Sequence, residues 1–221
     1  MKLLLRALIK YLFGMVFLSL MLFLPAGTFR YPNGWLFVIL LSVPMLLMGI
    51  VMLLKSPKLL ERRLDNKEKM GSQKLVVLCF ALIFLSTFVL SALDFRFGWS
   101  SVPLPLVIVA SVLFLVGYAL YAEVSRENVY LSRTVEVQTG QKVVDTGLYG
   151  IVRHPMYFAT LFMFLPLPLI LGSLWGLIPV AFYLPVIIVR LLDEEKLLAA
   201  SLDGYTEYQK KVKYRLIPFI F

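Results

Sequence analysis

Apolar residues gather in long unbroken blocks, and polar residues collect in the joints between them. Six blocks stand out: Ala7–Ala26, Trp35–Leu54, Leu75–Leu93, Val102–Ala122, Met156–Leu171 and Leu174–Val189. A transmembrane helix needs about 20 such residues, with a range of about 17–25. The first four blocks meet that length and are predicted to cross a membrane. The last two are shorter and are separated only by Gly172-Ser173. They predict a tight helical hairpin, tilted or partly sheltered by protein.

The first block has a second reading. Lys2, Arg6 and Lys10 precede an apolar run that ends in Leu24-Pro25-Ala26-Gly27, a pattern shared with cleavable signal peptides. A second span follows within a few residues, so the expectation is a helical hairpin that stays in the membrane.

Composition agrees with the blocks. Of the 221 residues 60% are apolar and 16% charged, and the mean hydropathy is +0.86. Soluble domains are nearer half apolar and a quarter charged. The excess apolar surface must face lipid, which excludes a soluble enzyme and a disordered chain. A lone cysteine, Cys79, excludes an internal disulfide and a Cys-rich metal site. A lone histidine, His154, excludes a two-histidine zinc site.

The net charge of +9 has a sidedness that a nucleic-acid patch would not need. With the predicted spans in place, one face holds Lys2, Arg6, Lys10, Lys55, Lys58, Arg62, Arg63, Lys67, Lys69, Lys74, Arg126, Arg133, Lys142, Arg153, Arg190, Lys196, Lys210, Lys211, Lys213 and Arg215. The other holds Arg30 and Arg96. Asp94 is the one acid off the basic face. The positive-inside rule puts that face, both termini and the two long loops in the cytoplasm. A site built from charged groups would then open to the cytoplasm. The loop Lys55–Lys74 reads as an amphipathic connector on anionic headgroups.

Chemistry-bearing residues cluster in the last hundred positions. Val137–Tyr157 begins as a loop rich in Gly and Thr. Pro155 fits the first turn of a helix, where its missing N–H costs nothing, and it holds His154 extended. The fifth span therefore starts at Pro155, with Arg153 and His154 at its mouth, where free N–H groups favour an anionic ligand. Arg190 and Glu194, four apart at the inner end of the sixth span, share a helix face. The hairpin brings both clusters to one interface, so Arg153, His154, Tyr157, Arg190 and Glu194 can converge. Each also has a plainer reading: a capping histidine, an interfacial ion pair, tyrosines anchored at the headgroups. After Glu195, Leu197, Leu198 and Leu202 continue the helix, Gly204 interrupts it, and Tyr205, Tyr208 and Val212 resume a stripe that suits a lid. Pro166, Pro168, Pro179 and Pro185 would kink the hairpin, either around a lipid-accessible cavity or in ordinary packing.

Gly147-Leu148-Tyr149, then Arg153-His154-Pro155-Met156-Tyr157, then Glu194-Glu195 and Tyr205-x-x-Tyr208 resemble the isoprenylcysteine carboxyl methyltransferase family and the wider group of membrane phospholipid methyltransferases. The likeness covers about the last 90 residues. It implies S-adenosyl-L-methionine as methyl donor, held by Gln138, Gln141, Lys142, Val143, Val144, Tyr149, His154, Pro155, Met156, Tyr157 and Glu194. Gln138 aligns only across a gap. It also implies Arg190, Arg153 and Glu194 as catalytic residues, Arg190 on the substrate side, and no metal. The acceptor would be a lipid-like or prenylated molecule, methylated at a carboxylate in the isoprenylcysteine manner or at an amine in the phospholipid manner. Cation–π contacts from Tyr149 or Tyr157 would suit a sulfonium.

The expected fold is an all-α, multi-pass transmembrane helical bundle of about five to six spans with a cytoplasmic C-terminal helix. It forms one domain over 1–221, with four N-terminal spans in 1–124 and a cofactor-binding, catalytic region in 125–221. Two other classes stay open. A membrane sterol or double-bond reductase using NADPH shares the Arg-His-Pro-x-Tyr signature and an ending like Tyr214–Phe221. A transporter or lipid-binding protein would need ionisable groups deep in several spans, whereas here they sit at span ends.

Overall fold

The computed structural model describes residues 2–64, 71–132 and 134–221, and every regular element among them is helical. Of the basic residues assigned to one face, Lys67, Lys69 and Arg133 lie outside the described residues.

Long apolar helices form where the blocks predict them. They are α1 (Lys2–Ala26), α2 (Pro32–Lys55), α4 (Gly71–Phe97) and α5 (Leu104–Glu127). All four are long and apolar enough to cross a membrane. Lipid is the solvent that explains their surfaces: Phe13, Leu24 and Leu54 are 72%, 71% and 76% exposed. Only a narrow stripe of each helix turns inward, where Leu22, Phe37, Ala92 and Phe114 pack fully buried. The chain is thus a multi-pass integral membrane protein with the expected helical bundle.

The amphipathic helix α3 (Pro57–Leu64) occupies the charged loop after α2 and buries Leu59 and Leu60. Its arginines reach the loop after α5: Arg62 donates to the Val129 carbonyl at 2.6 Å and Arg63 to that of Ser132 at 3.1 Å.

The fifth and sixth blocks are more broken than the plain hairpin expected. α6 (Pro155–Phe164) starts at Pro155 as predicted, but the chain turns at Leu165-Pro166 before α7 (Leu167–Ile170). Pro166 and Pro168 lack the N–H that would continue the ladder. On the way back, α8 (Leu177–Val180) is a single turn. The continuous helix α9 (Tyr183–Ser201) begins only after it and runs well past Val189. Pro185 lies in the first turn of α9, where a proline is harmless.

Broken helices in a membrane need their freed carbonyls satisfied. The hydroxyl of Tyr31 donates to the Leu171 carbonyl at 2.6 Å, and the Asn33 amide donates to the Ile170 carbonyl at 2.8 Å. On the same face Asp94, fully buried, accepts hydrogen bonds from the Ser100 and Ser173 hydroxyls, each at 2.5 Å. These pins fix the far end of the hairpin against α2 and α4. Along its length α6 lies close on α5, because Gly117 offers no side chain: a Cβ there would come within 2.8 Å of the Ala159 carbonyl oxygen. The hairpin is therefore held at its far end and along one flank, which sets its opposite end as a fixed platform.

Candidate active site

That opposite end carries the chemistry. The loop after α5 returns through a 3₁₀ turn (Gly147–Gly150) and enters α6. Gly147 makes the turn feasible, with φ +53° and the carboxylate of Glu127 packed against its Cα. That carboxylate accepts the Leu148 N–H at 3.0 Å. A methyl group on residue 147 would lie 1.5 Å from Glu127 Oε1. Gly147→Ala is therefore expected to destabilise the protein by about 1–3 kcal/mol, as for other side chains forced into the left-handed region. Thermal unfolding in detergent checks this.

The turn presents Tyr149. Its hydroxyl accepts the Asn128 amide at 2.8 Å, and its carbonyl accepts the Tyr208 hydroxyl at 2.7 Å. Burial pushes the Tyr149 phenol well above its usual range, so it stays protonated. Tyr208 belongs to α10 (Tyr205–Lys211), which starts after Gly204 at φ +81°. Lys211 and Asp145 form an exposed ion pair at 2.6 Å across the same gap, and Lys211 holds the Asp145 carboxyl below its usual range. The C-terminal stripe thus folds over the 3₁₀ turn as a cover.

Arg153 and His154 are fixed by the tail as well. Their backbone N–H groups donate to the carbonyls of Tyr214 and Arg215 at 2.9 and 2.8 Å. Their side chains meet Glu195: Arg153 Nε lies 2.6 Å and His154 Nε2 3.3 Å from Glu195 Oε1, while Arg215 Nε donates to Oε2 at 2.9 Å. Arg153 Nη1 also donates to the carbonyls of Val212 and Lys213. Burial alone would raise the Glu195 carboxyl. The hydrogen bonds from His154, Arg153 and Arg215 outweigh it and hold the group down to about 2. In this arrangement Arg153, expected among the catalytic residues by resemblance, has its guanidinium directed at Glu195 and the tail, a positioning geometry.

One helical face of α9 then adds the second cluster. Tyr157 stacks on the His154 ring, with centroids 5.5 Å apart. Its hydroxyl donates to Glu194 Oε2 at 2.5 Å and accepts from Arg190 Nε at 3.1 Å. Arg190 Nη1 donates to the side-chain oxygen of Gln73 at 3.1 Å. The spacing of four between Arg190 and Glu194 works as expected: both reach one hydroxyl from successive turns.

These groups line one cavity that is open at its mouth. Gln141, Lys142, Val143, Val144, Tyr149, Arg153, His154, Pro155, Met156, Tyr157, Arg190 and Glu194 all contribute to its wall. Gln138 is not among the lining residues. It braces the loop instead: its side-chain amide donates to the Tyr130 carbonyl at 2.7 Å and its backbone N–H donates to Gln141 Oε1 at 2.9 Å. Asn128, Ser132, Thr134, Glu136, Tyr205 and Tyr208 also line it. The tyrosines were legible in the Tyr-x-x-Tyr spacing. The polar loop residues before Val137 carried no signal that separated them from an ordinary connector.

The cavity wall suits a ligand with both charged and ring-like parts. Acids, cations and five tyrosines line the same space. The Tyr205 hydroxyl is buried without a hydrogen-bond partner among the described residues. A polar ligand atom in the cavity would satisfy it. No group of three His, Cys, Asp or Glu among the described residues is arranged to hold a metal ion.

A multi-pass helical membrane protein with a polar cavity at its basic face is the class this architecture defines. Within that class, residues 105–202 match the model of the phospholipid methyltransferase (PEMT) family. The chain is similar in fold to the eukaryotic intramembrane Ras methyltransferase ICMT (isoprenylcysteine carboxyl methyltransferase): the TM-score is 0.54 at 21% identity, covering 92% of this chain and 74% of the other. The group resemblance carried by the motifs thus holds in both sequence and fold. The Delta(14)-sterol reductase of Mus musculus is also similar, 28% identical over 132 residues. That match takes in 53% of this chain, which spans 32% of the reductase.

Proposed function

We propose that the chain is an integral membrane methyltransferase that uses S-adenosyl-L-methionine to methylate a lipid-like or prenylated acceptor. The observation that supports it most is the Arg190–Tyr157–Glu194 chain of hydrogen bonds in the wall of the cavity shared by Tyr149, His154–Tyr157 and the Gln141–Val144 loop. In this reading the region 125–221 holds the cofactor, and the spans of 1–124 support it and shape the acceptor's path. The basic face is cytoplasmic, as the positive-inside rule directs.

Bound there, the cofactor supplies an electrophilic methyl group on a sulfonium. The chain's part is to orient the partners and keep water out. Gln141–Val144, Tyr149 and His154–Tyr157 would hold the cofactor, with Glu194 pairing to a cationic or hydroxyl group. The Tyr205 O–H is available to a further polar atom. Arg190 would orient an anionic acceptor by paired hydrogen bonds. A carboxylate acceptor needs no base, which favours the isoprenylcysteine type of O-methylation. An amine acceptor would have to lose a proton, and Glu194 is the acid best placed to receive it.

Calorimetry on the purified protein tests the proposal. Micromolar binding of S-adenosylhomocysteine is expected, and Glu194→Ala and His154→Ala should abolish it. The likeness to the sterol reductase favours one second reading, NADPH-dependent reduction of a lipid double bond. NADPH binding without any response to S-adenosylhomocysteine would establish that reading and sink the first.

A further inference from the structure

Gln73 is fully buried at the start of α4. A buried amide must find partners for both of its ends, and this one finds them on α9. Its oxygen accepts from Arg190 Nη1 at 3.1 Å, and its nitrogen donates to Asp193 Oδ2 at 3.1 Å. The amide's orientation is fixed by its neighbours, because a guanidinium only donates and a carboxylate only accepts. Arg190 and Asp193 are three apart on α9, so one glutamine spans a full turn of that helix.

The same contact constrains the arginine. Nη1 points to Gln73 and Nε to the Tyr157 hydroxyl, at 3.1 Å each. Two acceptors in different directions, one on α4 and one on α6, fix the plane of a guanidinium. A planar fork recognises an anionic group only in a defined plane and direction. Residues of the proposed site otherwise come from the second half of the chain; Gln73 comes from the N-terminal spans, which no motif touches.

We infer that Gln73 is a positioning residue: it sets the plane of Arg190 for the methyl acceptor and so couples the third long helix to the site. The inference rests on the proposed methyltransferase reading. It predicts that the acceptor, not the cofactor, feels the loss of Gln73. Gln73→Leu keeps the volume and removes both hydrogen bonds. Gln73→Glu keeps an acceptor for Arg190 but sets a like charge against Asp193.

The experiment uses the full chain in lipid nanodiscs. It measures labelled methyl transfer to a farnesylated cysteine carboxylate and to phosphatidylethanolamine, together with S-adenosylhomocysteine affinity. For the acceptor that is methylated, Gln73→Leu is expected to lower kcat/KM by about 10²-fold, the scale of a misplaced reacting group. S-adenosylhomocysteine affinity should stay within about threefold, less than half a tenfold step. Gln73→Glu should retain more activity than Gln73→Leu. In an Arg190→Lys background Gln73→Leu should have little further effect, as for residues acting as one unit.

Effects that add in the double variant, or a loss of cofactor affinity that parallels the loss of rate, would overturn the positioning role and leave the methyltransferase reading standing. Absence of both methyl transfer and S-adenosylhomocysteine binding in the unaltered protein would overturn both.

Discussion

Glu195→Ala is expected to destabilise the protein by about 3–5 kcal/mol, the cost of removing one partner from a buried charge pair. The Glu195 carboxylate is 7% exposed and the Arg153 side chain facing it 6%. Without it the guanidinium of Arg153 stays buried, and the His154 ring loses its contact. Arg215 is 40% exposed, so water compensates its loss and its share is discounted. Because Arg153 and His154 are also tied by their backbones to Tyr214 and Arg215, the variant should loosen the tail and the start of α6 together. Thermal unfolding in detergent gives the magnitude, and hydrogen exchange at residues 150–157 and 212–216 gives the location.

The sign of the pH dependence follows from the direction of the shift. The folded protein holds Glu195 down to about 2 from an ordinary 4.5. A carboxyl depressed by folding contributes stability that is fully present above the unfolded value and is lost as pH falls through the folded one. The gap in stability between the unaltered protein and Glu195→Gln should therefore be constant above about pH 4.5 and shrink between there and about 2. A gap that stayed unchanged through this window would show that the shape of the side chain matters and its charge does not.

Much of this architecture is legible in the sequence, and what is missing has a physical reason. Block length alone located α1, α2, α4 and α5, because lipid demands a continuous apolar surface. Pro155 marked the start of α6, since a proline there has only one comfortable place. The breaks at Leu165-Pro166 and before Tyr183 were visible as prolines, yet their outcome was not. Whether a proline kinks a span or ends it depends on the packing around it, and the hairpin tip is held by Tyr31 and Asn33, which donate to the Leu171 and Ile170 carbonyls from a distant part of the chain. The site divides the same way. The spacing of Arg190 and Glu194 placed both on one face, and Tyr157 was named with them. Glu195, by contrast, read as one half of a Glu-Glu pair, with nothing to show that Arg153, His154 and Arg215 all close on it. Gln73 left no trace, because a single polar residue beside Lys74 at a span end is what any interfacial helix carries.

Tyr157→Phe is the sharpest probe of the proposed chemistry, because it deletes one oxygen from the middle of the site. The ring remains to stack on His154. What goes is the hydroxyl that donates to Glu194 at 2.5 Å and accepts from Arg190 at 3.1 Å. Two charged side chains then lose their common reference point, and each has a partner fewer in a buried setting. The expected cost in stability is about 1–3 kcal/mol for the unsatisfied groups, smaller than that of Glu195→Ala. The expected cost in kcat/KM is larger in relation: about 10²-fold or more, close to 3 kcal/mol in the transition state at 1.36 kcal/mol per tenfold. The reason is geometric. Arg190 and Glu194 sit one helical turn apart on α9, and a guanidinium beside a carboxylate will close onto it directly once the intervening hydroxyl is gone. That collapse would draw Arg190 away from an anionic acceptor and Glu194 away from the cofactor's cationic side at once. Combining Tyr157→Phe with Arg190→Ala should therefore cost little more than Arg190→Ala alone. Full additivity, or unchanged methyl transfer in Tyr157→Phe, would mean that the two charges act independently and that the tyrosine serves only to pack the start of α6.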